Sequence, residues 1–314
     1  MPADIAAYLL LLAGGVVALY AGAELLVAGA SRLALGLGLR AITVGVTVVA
    51  LATTAPELFV ATIGALDVSG DIGFGAVVGS NIANIGLVLG LAALIRPLTI
   101  GEITMRRHVP FMVFSALLLV ALGWNGRIGR FEGAILLLTL AVFTVYLLYY
   151  VSADPAPTVK GPEAEEGVQR RDVVLVLGGL VALVVGSRWL VSGGAGLLSA
   201  MGFSDLFIGL TILALGTSLP ELAASVLGAI RGETGFAIGN VVGSNIYNIL
   251  AVLGIVALIV PIEIEPSTLR FELPVLVVFT LLLVAMMGYG RKLSRIDGAI
   301  LVVCYGVFIY LLLP

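Results

Sequence analysis

Two glutamates lie in apolar parts of this sequence, and each directly follows a proline. Glu57 ends the stretch ALATTAPE and Glu221 ends the stretch ALGTSLPE. Proline has no backbone N–H and its ring pushes against the preceding turn, so carbonyl groups one turn earlier lose their helical partners. Each stretch therefore offers a carboxylate, hydroxyls and freed carbonyls, which are hard oxygen ligands of the kind that bind calcium.

The residues just before each proline supply the neutral ligands. The carbonyls of Thr53 and Thr217 are expected to turn away from the helix, and Thr54 and Ser218 each add a hydroxyl one position later. Free carbonyls in a membrane interior are tolerated only where they face protein, water or an ion. These positions therefore predict an ion site rather than simple helix packing.

A second pair of motifs, GSNIAN at 79–84 and GSNIYN at 243–248, adds amides and further hydroxyls. Ser80 and Asn84 are four residues apart, as are Ser244 and Asn248, so each pair shares one helix face. The motifs contain no His or Cys, which makes zinc and copper poor candidates. Ca²⁺ accepts about six to eight oxygens in flexible geometry, whereas Mg²⁺ demands a rigid octahedron. The combined set predicts a site for one Ca²⁺ or several Na⁺ ions that compete for it.

The composition indicates an integral membrane protein. Of the 314 residues, 61% are hydrophobic and 11% are charged, and the mean hydropathy is +1.19. Soluble domains carry about a quarter charged residues. The apolar runs are continuous rather than alternating, so we expect an all-α membrane protein. GAVVGSNIA lacks the lysine of a phosphate-binding loop, so ATP-driven pumping is not expected. We also expect no enzyme activity and no nucleic-acid or nucleotide partner.

Ten transmembrane helices are predicted, five on each side of a polar stretch rich in Pro, Gly and charge. We therefore expect a first five-helix repeat at 1–151, a cytoplasmic linker at 152–172 and a second five-helix repeat at 173–314. The predicted spans are 6–30, 41–66, 72–95, 108–124, 131–151, 173–199, 206–230, 235–260, 271–288 and 296–313.

The basic residues predict the orientation. With the N-terminus outside, the inner loops hold twelve Lys and Arg residues and the outer loops hold three. Cytoplasmic loops retain positive charge, so both termini are expected to be extracellular, in a multi-pass protein of the plasma membrane.

The sequence repeats itself when it is shifted by 164 positions. Glu57 then falls on Glu221, and the GSN motif at 79–81 falls on that at 243–245. Because each half has an odd number of predicted spans, the second half enters the membrane from the opposite side. Two inverted five-helix repeats of this kind place a binding site where the halves meet and favour a secondary transporter.

Both glutamates are predicted to lie near the middle of the bilayer. Glu57 follows Arg40 by 17 residues, and Glu221 precedes Arg231 by 10. A carboxylate at that depth costs at least about 2.5–3.5 kcal/mol, so each needs a cation or a proton. Glu24 and Arg188 are the other charges within spans, and both are expected to reach the interface or pack locally.

The doubled motif resembles that of the calcium/cation antiporter superfamily, in particular its prokaryotic sodium/calcium exchanger branch. This family carries two copies of G-T-S-x-P-E followed by G-S-N-x-x-N or G-S-N-x-x-D. The second copy here, GTSLPE with GNVVGSNIYN, is a full match; the first, ATTAPE with GAVVGSNIAN, has Ala52 for Gly, Thr54 for Ser and Ala76 for Asn. The resemblance covers essentially the whole chain.

The resemblance implies exchange of Ca²⁺ for Na⁺ by alternating access, with both ions as cargo and no prosthetic group. We also expect the functional unit to be a monomer. It implies calcium ligation by the two glutamates with the Thr53 and Thr217 carbonyls. The sodium sites would add the carbonyls of Ala50 and Ala214 and the hydroxyls of Thr54, Ser218, Ser80 and Ser244, with Asn84 and Asn248 lining the centre.

Two alternatives remain on the sequence alone. The first is a Ca²⁺/H⁺ antiporter, since a carboxylate pair can exchange calcium for protons. The second is a passive cation channel, since acidic rings also select cations. Potassium-dependent relatives resemble this sequence but carry an aspartate at position 248, so Asn248 argues against dependence on potassium.

Overall fold

The computed structural model describes residues 2–37, 41–54, 57–58, 61–62, 65–66, 70–153, 169–201 and 216–312. Within these residues the chain is almost entirely helical. The helices are α1 (Pro2–Gly36), α2 (Ala41–Val44), α3 (Ala50–Thr53), α4 (Gly70–Ala83), α5 (Gly90–Ile95), α6 (Val109–Gly123), α7 (Arg130–Ala153), α8 (Arg170–Ala200), α9 (Leu219–Arg231), α10 (Thr234–Tyr247), α11 (Gly254–Ile259), α12 (Pro266–Arg270), α13 (Glu272–Gly288) and α14 (Arg295–Leu312).

Within the described residues, four π-helical segments of five or six residues continue or join these helices, at Gly45–Val49, Asn84–Leu89, Thr104–His108 and Asn248–Leu253. The second and fourth begin at residues that the repeat relates to each other. They join α4 to α5 and α10 to α11. A π segment inside an α-helix is rare and often marks a functional site, and both of these begin at an asparagine that the sequence assigns to the ion site.

Eight of the predicted spans are found as helices long and apolar enough to cross a membrane. This agrees with the prediction of an all-helical membrane protein. The predicted spans 41–66 and 206–230 lie partly outside the described residues. The predicted linker begins and ends within helices, since α7 continues to Ala153 and α8 starts at Arg170; residues 154–168 lie outside the described part of the chain.

Two of the eight long helices form the centre of the bundle. Most residues of Gly73–Ile95 and Thr234–Ile259 are buried, whereas most residues of the other six are not. A helix that is apolar and exposed on many sides suits contact with lipid, and an apolar helix that is buried all round suits the core. The two central helices are those that carry the GSN motifs.

Helices α1 and α8 pack side by side and antiparallel. A Cβ added at Gly15 would meet the Gly186 carbonyl at 2.9 Å, and one added at Gly29 would meet the Val176 nitrogen at 2.9 Å. At the other end, a Cβ on Gly193 would meet the Tyr8 carbonyl at 2.8 Å. Small residues allow this close approach of backbones, as is common between helices in membranes.

The described part of the chain also contains four two-residue strands, which the sequence did not predict and which pair in two antiparallel ladders between connecting segments. Strand β1 (Leu98–Thr99) pairs with β4 (Lys292–Leu293), and β2 (Arg127–Ile128) pairs with β3 (Ile262–Glu263). Each ladder joins a connection of the first half of the chain to a connection of the second. The two halves are therefore held to each other through backbone hydrogen bonds as well as helix packing.

The repeat-related glycines Gly243 and Gly79 differ in their packing, which gives a test of the central helix contact. A Cβ at Gly243 would lie 2.6 Å from the Ala50 Cβ and 2.7 Å from the Val46 carbonyl, whereas one at Gly79 would meet no described atom within 4 Å. We expect Gly243→Ala to lower the melting temperature in detergent, because overpacking costs ~1–3 kcal/mol. Gly79→Ala is the matched control and should be neutral or stabilising. Equal destabilisation by both substitutions would contradict this packing.

Candidate ion-binding site

A cluster of buried polar side chains lies where the first and second halves of the chain meet. Glu57 is 3% exposed and Glu221 is fully buried. The other predicted site residues that are buried are Ala50, Thr53, Thr54, Ser80, Asn84, Ser218, Ser244 and Asn248; Thr217 is partly buried and Ala214 lies outside the described residues.

Helix breaks position the two glutamates. Helix α3 ends at Thr53, and α9 begins at Leu219 with Pro220 in its first turn, where a missing N–H costs nothing. Glu221 therefore lies in the first turn of α9, where the partial positive charge of the helix N-terminus favours a carboxylate. Pro56 lies outside the described residues.

Pro220 has no N–H to donate to the carbonyl four residues earlier, and in the structure that carbonyl has a different hydrogen-bond donor. The Gly216 carbonyl accepts a hydrogen bond from the hydroxyl of Ser187, which lies in α8. The sequence predicted the freed carbonyl but not this donor, because Ser187 is distant along the chain and lies in an apolar helix with no site motif.

A chain of hydrogen bonds crosses between the two halves. The Ser80 hydroxyl donates to Glu57 Oε1 over 3.3 Å and lies 3.0 Å from the Ser218 hydroxyl. The Asn248 side-chain amide donates to Ser80 Oγ over 3.3 Å. Four residues that the sequence assigned to one site, two from each half, are thus brought into direct contact.

Several oxygens of this cluster are buried and have no hydrogen-bond partner among the described residues. Both carboxylate oxygens of Glu221 and one of Glu57 are in this state. The others are Thr54 Oγ1, Asn84 Oδ1, Ser244 Oγ and Asn248 Oδ1. Buried polar atoms are nearly always satisfied in proteins, so a group of unsatisfied oxygens in one place indicates a bound partner that supplies positive charge.

The composition of the cluster defines what it could bind. Ser80 contacts both Glu57 and Ser218, and Ser218 lies three residues before Glu221, so the two glutamates belong to the same cluster. Within the described residues, no group of three or more His, Cys, Asp and Glu side chains lies together. Two carboxylates with neutral amide, hydroxyl and carbonyl oxygens match the charge and ligand preference of Ca²⁺.

Sequence reasoning missed four polar residues beside the site: Asn81, Ser225, Asn240 and Asn245. The Asn245 side chain donates to the Asn81 carbonyl over 3.3 Å, which ties the two central helices together. These two asparagines are related by the 164-residue repeat, and that signal could have found them. Asn240 and Ser225 fall on Ala76 and Ala61 in the other half, so the repeat gives no signal for them.

The structure also shows where the charged residues of the outer helices lie. Glu24 of α1 forms an ion pair with Arg231 at the end of α9, so its expected local packing is in fact a specific contact between helices. Arg188 is exposed.

The chain is similar to known exchangers over nearly its whole length. The model of the sodium/calcium exchanger protein family matches residues 7–149 and 172–313. The protein CaxA of Alkalimonas amylolytica is 38% identical over 271 residues, covering 83% of this chain and 85% of that protein. The sodium/calcium exchanger MaX1 of Methanosarcina acetivorans is 30% identical over 300 residues, covering 83% of this chain and 86% of that protein.

A solved structure has the same fold. The sodium–calcium exchanger NCX_Mj, soaked with 10 mM Na⁺ and 10 mM Sr²⁺, is 29% identical in sequence and superposes with a TM-score of 0.86. The alignment covers 99% of this chain and 100% of that one.

Proposed function

This chain belongs to the sodium/calcium exchanger family, and from that membership we propose that it is a secondary antiporter that exchanges Ca²⁺ for Na⁺ at one central two-glutamate site. The observation that carries the proposal is the set of buried carboxylate oxygens on Glu57 and Glu221 that accept no hydrogen bond from any described residue. Two such carboxylates balance one Ca²⁺. Sodium ions that occupy the same oxygens would exclude it, and that competition is the exchange.

The proposed ion ligands are those that the family resemblance implies, and most of them are buried in the cluster. Calcium is held by the two glutamates with the Thr53 and Thr217 carbonyls. Sodium uses the same glutamates, and Asn84 and Asn248 line the centre between the halves. The remaining sodium ligands in this proposal are the Ala50 and Ala214 carbonyls and the hydroxyls of Thr54, Ser218, Ser80 and Ser244.

The strand ladders support a crossing in the region 202–231. Paired strands lie on the same side of a membrane, so an even number of crossings separates them. Between β2 and β3 the described crossings are α7, α8 and α10–α11, which is an odd number. The segment that ends in α9 supplies the missing crossing in the proposed topology.

The antiparallel packing of α1 and α8 supports a crossing in the region 38–69. Counting only α1, α4–α5, α6, α7 and α8, the first and last helices would run in the same direction. They run in opposite directions, so one more crossing is needed, and the segment that contains α2, α3 and Glu57 supplies it. The proposed total is ten transmembrane helices. Because α1 and α8 are also repeat equivalents, their opposite directions support inverted repeats and alternating access.

The test is calcium flux in sealed lipid vesicles that contain the purified full-length protein. With sodium inside and none outside, we expect calcium to accumulate against its own gradient, and a sodium ionophore should abolish the uptake. Accumulation driven by a proton gradient alone would instead establish a Ca²⁺/H⁺ antiporter. Neither glutamate has a basic partner among the described residues, and this is compatible with proton binding. Calcium movement only down its gradient, without any sodium requirement, would indicate a channel.

We also propose a plasma-membrane protein with both termini outside, functional as a monomer. Labelling tests the orientation in a Cys304→Ser background. A cysteine at Lys160 should react with an impermeant thiol reagent only after permeabilisation of the cells. A cysteine at Asn125, in the exposed connection after α6, is the matched control and should react on intact cells. Labelling at position 160 but not at position 125 on intact cells would show that the twelve-to-three distribution of basic residues does not predict the orientation.

A further inference from the structure

Helix α8 supplies no ligand to the proposed ion site, yet one of its side chains holds the backbone of that site. The hydroxyl of Ser187, which is 8% exposed, donates a hydrogen bond to the Gly216 carbonyl. This carbonyl has no helical donor four residues ahead, because Pro220 stands there. A buried carbonyl without a donor is costly, so Ser187 satisfies a group that the helix break leaves open.

The packing of α8 against α1 fixes the direction of this hydroxyl. A Cβ added at Gly186 would lie 2.8 Å from the Leu19 nitrogen, so the two backbones touch next to Ser187. Such close contact sets the height and the rotation of α8. Val191, one turn further along α8, would collide with a Cβ placed on Gly216. Helix α8 therefore contacts this glycine through two side chains that share one helix face.

The first half of the chain has no counterpart of this hydrogen bond. In the 164-residue repeat, Ser187 falls on Ala23 and Gly216 falls on Ala52. Ala23 is buried and carries no hydroxyl. Alanine restricts its own backbone more than glycine does. The half with the more flexible residue at the helix break is therefore also the half in which a hydroxyl holds that residue.

The carbonyl held by Ser187 belongs to the peptide unit that begins the ligand segment. The Gly216 carbonyl and the Thr217 nitrogen lie in one planar peptide unit, so fixing the carbonyl fixes the direction in which the chain enters Thr217. The next groups along the chain are the Thr217 carbonyl and the Ser218 hydroxyl of the proposed site, and Ser218 Oγ lies 3.0 Å from Ser80 Oγ. Rotation of the glycine peptide would move both ligands.

We propose that Ser187 is a positioning residue for the ion site: through its hydrogen bond to the Gly216 carbonyl, it holds Thr217 and Ser218 in the conformation that binds the ion. The inference rests on the proposed function for the identity of the ion and of its ligands. It gives α8 a part in ion affinity, although this helix supplies no ligand in the proposed site.

The test is calcium binding to the purified full-length protein in detergent, without sodium, measured by isothermal titration calorimetry. Ser187→Ala leaves the Gly216 carbonyl without its donor and the glycine peptide free to rotate, and we expect roughly tenfold weaker binding. Ser187→Thr keeps the hydroxyl and should bind within about threefold of the wild type. Ser192→Ala makes the same chemical change at an exposed position of α8 and is the matched control, with no effect expected.

Two measurements separate positioning from a contribution to stability alone. A contact that only stabilised the fold would lower the melting temperature of the ion-free protein and leave the Kd of the folded protein unchanged. For a positioning residue the Kd rises, and in sodium-loaded vesicles the calcium concentration for half-maximal uptake rises more than the maximal rate falls. If Ser187→Ala does not fold, Ser187→Cys keeps a similar volume with a weak donor and should also weaken binding.

Wild-type affinity in Ser187→Ala, or binding by Ser187→Thr as weak as that of Ser187→Ala, would overturn the inference, as would a wild type that binds no calcium. The proposed function fails separately. Calcium binding that depends on Ser187 as expected, but without sodium-driven uptake in vesicles, would support Ser187 as a positioning residue while refuting the sodium coupling.

Discussion

Glu57→Gln and Glu221→Gln will each lower sodium-driven calcium uptake by at least about a hundredfold. Both side chains are buried, and removing one partner of a buried charge pair costs ~3–5 kcal/mol. A single remaining carboxylate leaves the second charge of Ca²⁺ unbalanced in an apolar interior. The measurement is initial calcium uptake in sodium-loaded vesicles at matched protein content.

The same variants should remain folded, because a neutral amide is cheaper to bury than a carboxylate. Without calcium, their melting temperatures in detergent should equal or exceed that of the wild type. Added calcium should raise the wild-type melting temperature, as any ligand of the native state does, and should not raise theirs. Glu102→Gln is the matched control, since the Glu102 side chain is 52% exposed and pairs with Arg106 on the surface. Uptake within threefold of wild type in either site variant would refute the two-glutamate site.

Wild-type uptake should need sodium but no potassium, and Asn248→Asp should change that ion dependence. Asn248 is 1% exposed, and its amide nitrogen faces two oxygens, Ser80 Oγ at 3.3 Å and Asn81 Oδ1 at 3.5 Å. An aspartate has no hydrogen to donate to the Asn81 oxygen. The new carboxylate must therefore take up a proton or hold a further cation, beside two glutamates of the same charge.

The assay for this substitution is calcium uptake into sodium-loaded vesicles with and without potassium, over a series of pH values. We expect the Asn248→Asp protein to gain a dependence on potassium or on pH that the wild type lacks, while its melting temperature changes little. Asn248→Ala is the matched control, because it removes the same donor without adding charge. Strict potassium dependence of the wild type would refute the role given to Asn248.

Much of the candidate site was predicted from the sequence because the repeat marks these residue types twice. A carboxylate, a proline and hydroxyls rarely occur together in an apolar run. Here the same combination recurs at an offset of 164 residues, which the chance similarity of apolar helices does not explain. Ser80, Ser218 and Asn248 were assigned to one site from this pattern, and the structure places them in contact. The helical membrane class follows from composition in the same direct way.

What the sequence did not predict depends on how the halves fit together. The contact of Asn240 with Thr53 depends on how far α10 is rotated toward α3, and a uniformly apolar helix carries no periodic signal for that rotation. The ion pair of Glu24 with Arg231 likewise joins residues on helices far apart in sequence. The strands are two residues long, which is too short for an alternating pattern to show.

The strand ladders have a consequence for biogenesis. Leu98 pairs with Leu293, and Ile128 pairs with Ile262, so neither ladder can close until the ribosome has made most of the second half. At ~5–20 residues per second, the chain between Leu98 and Leu293 takes on the order of 10–40 s to synthesise. During that time the first half is already in the bilayer, with the backbone groups of β1 and β2 hydrogen-bonded to water at the two membrane surfaces. Insertion therefore precedes assembly, and the nascent first half must persist in the membrane without the partner that completes it.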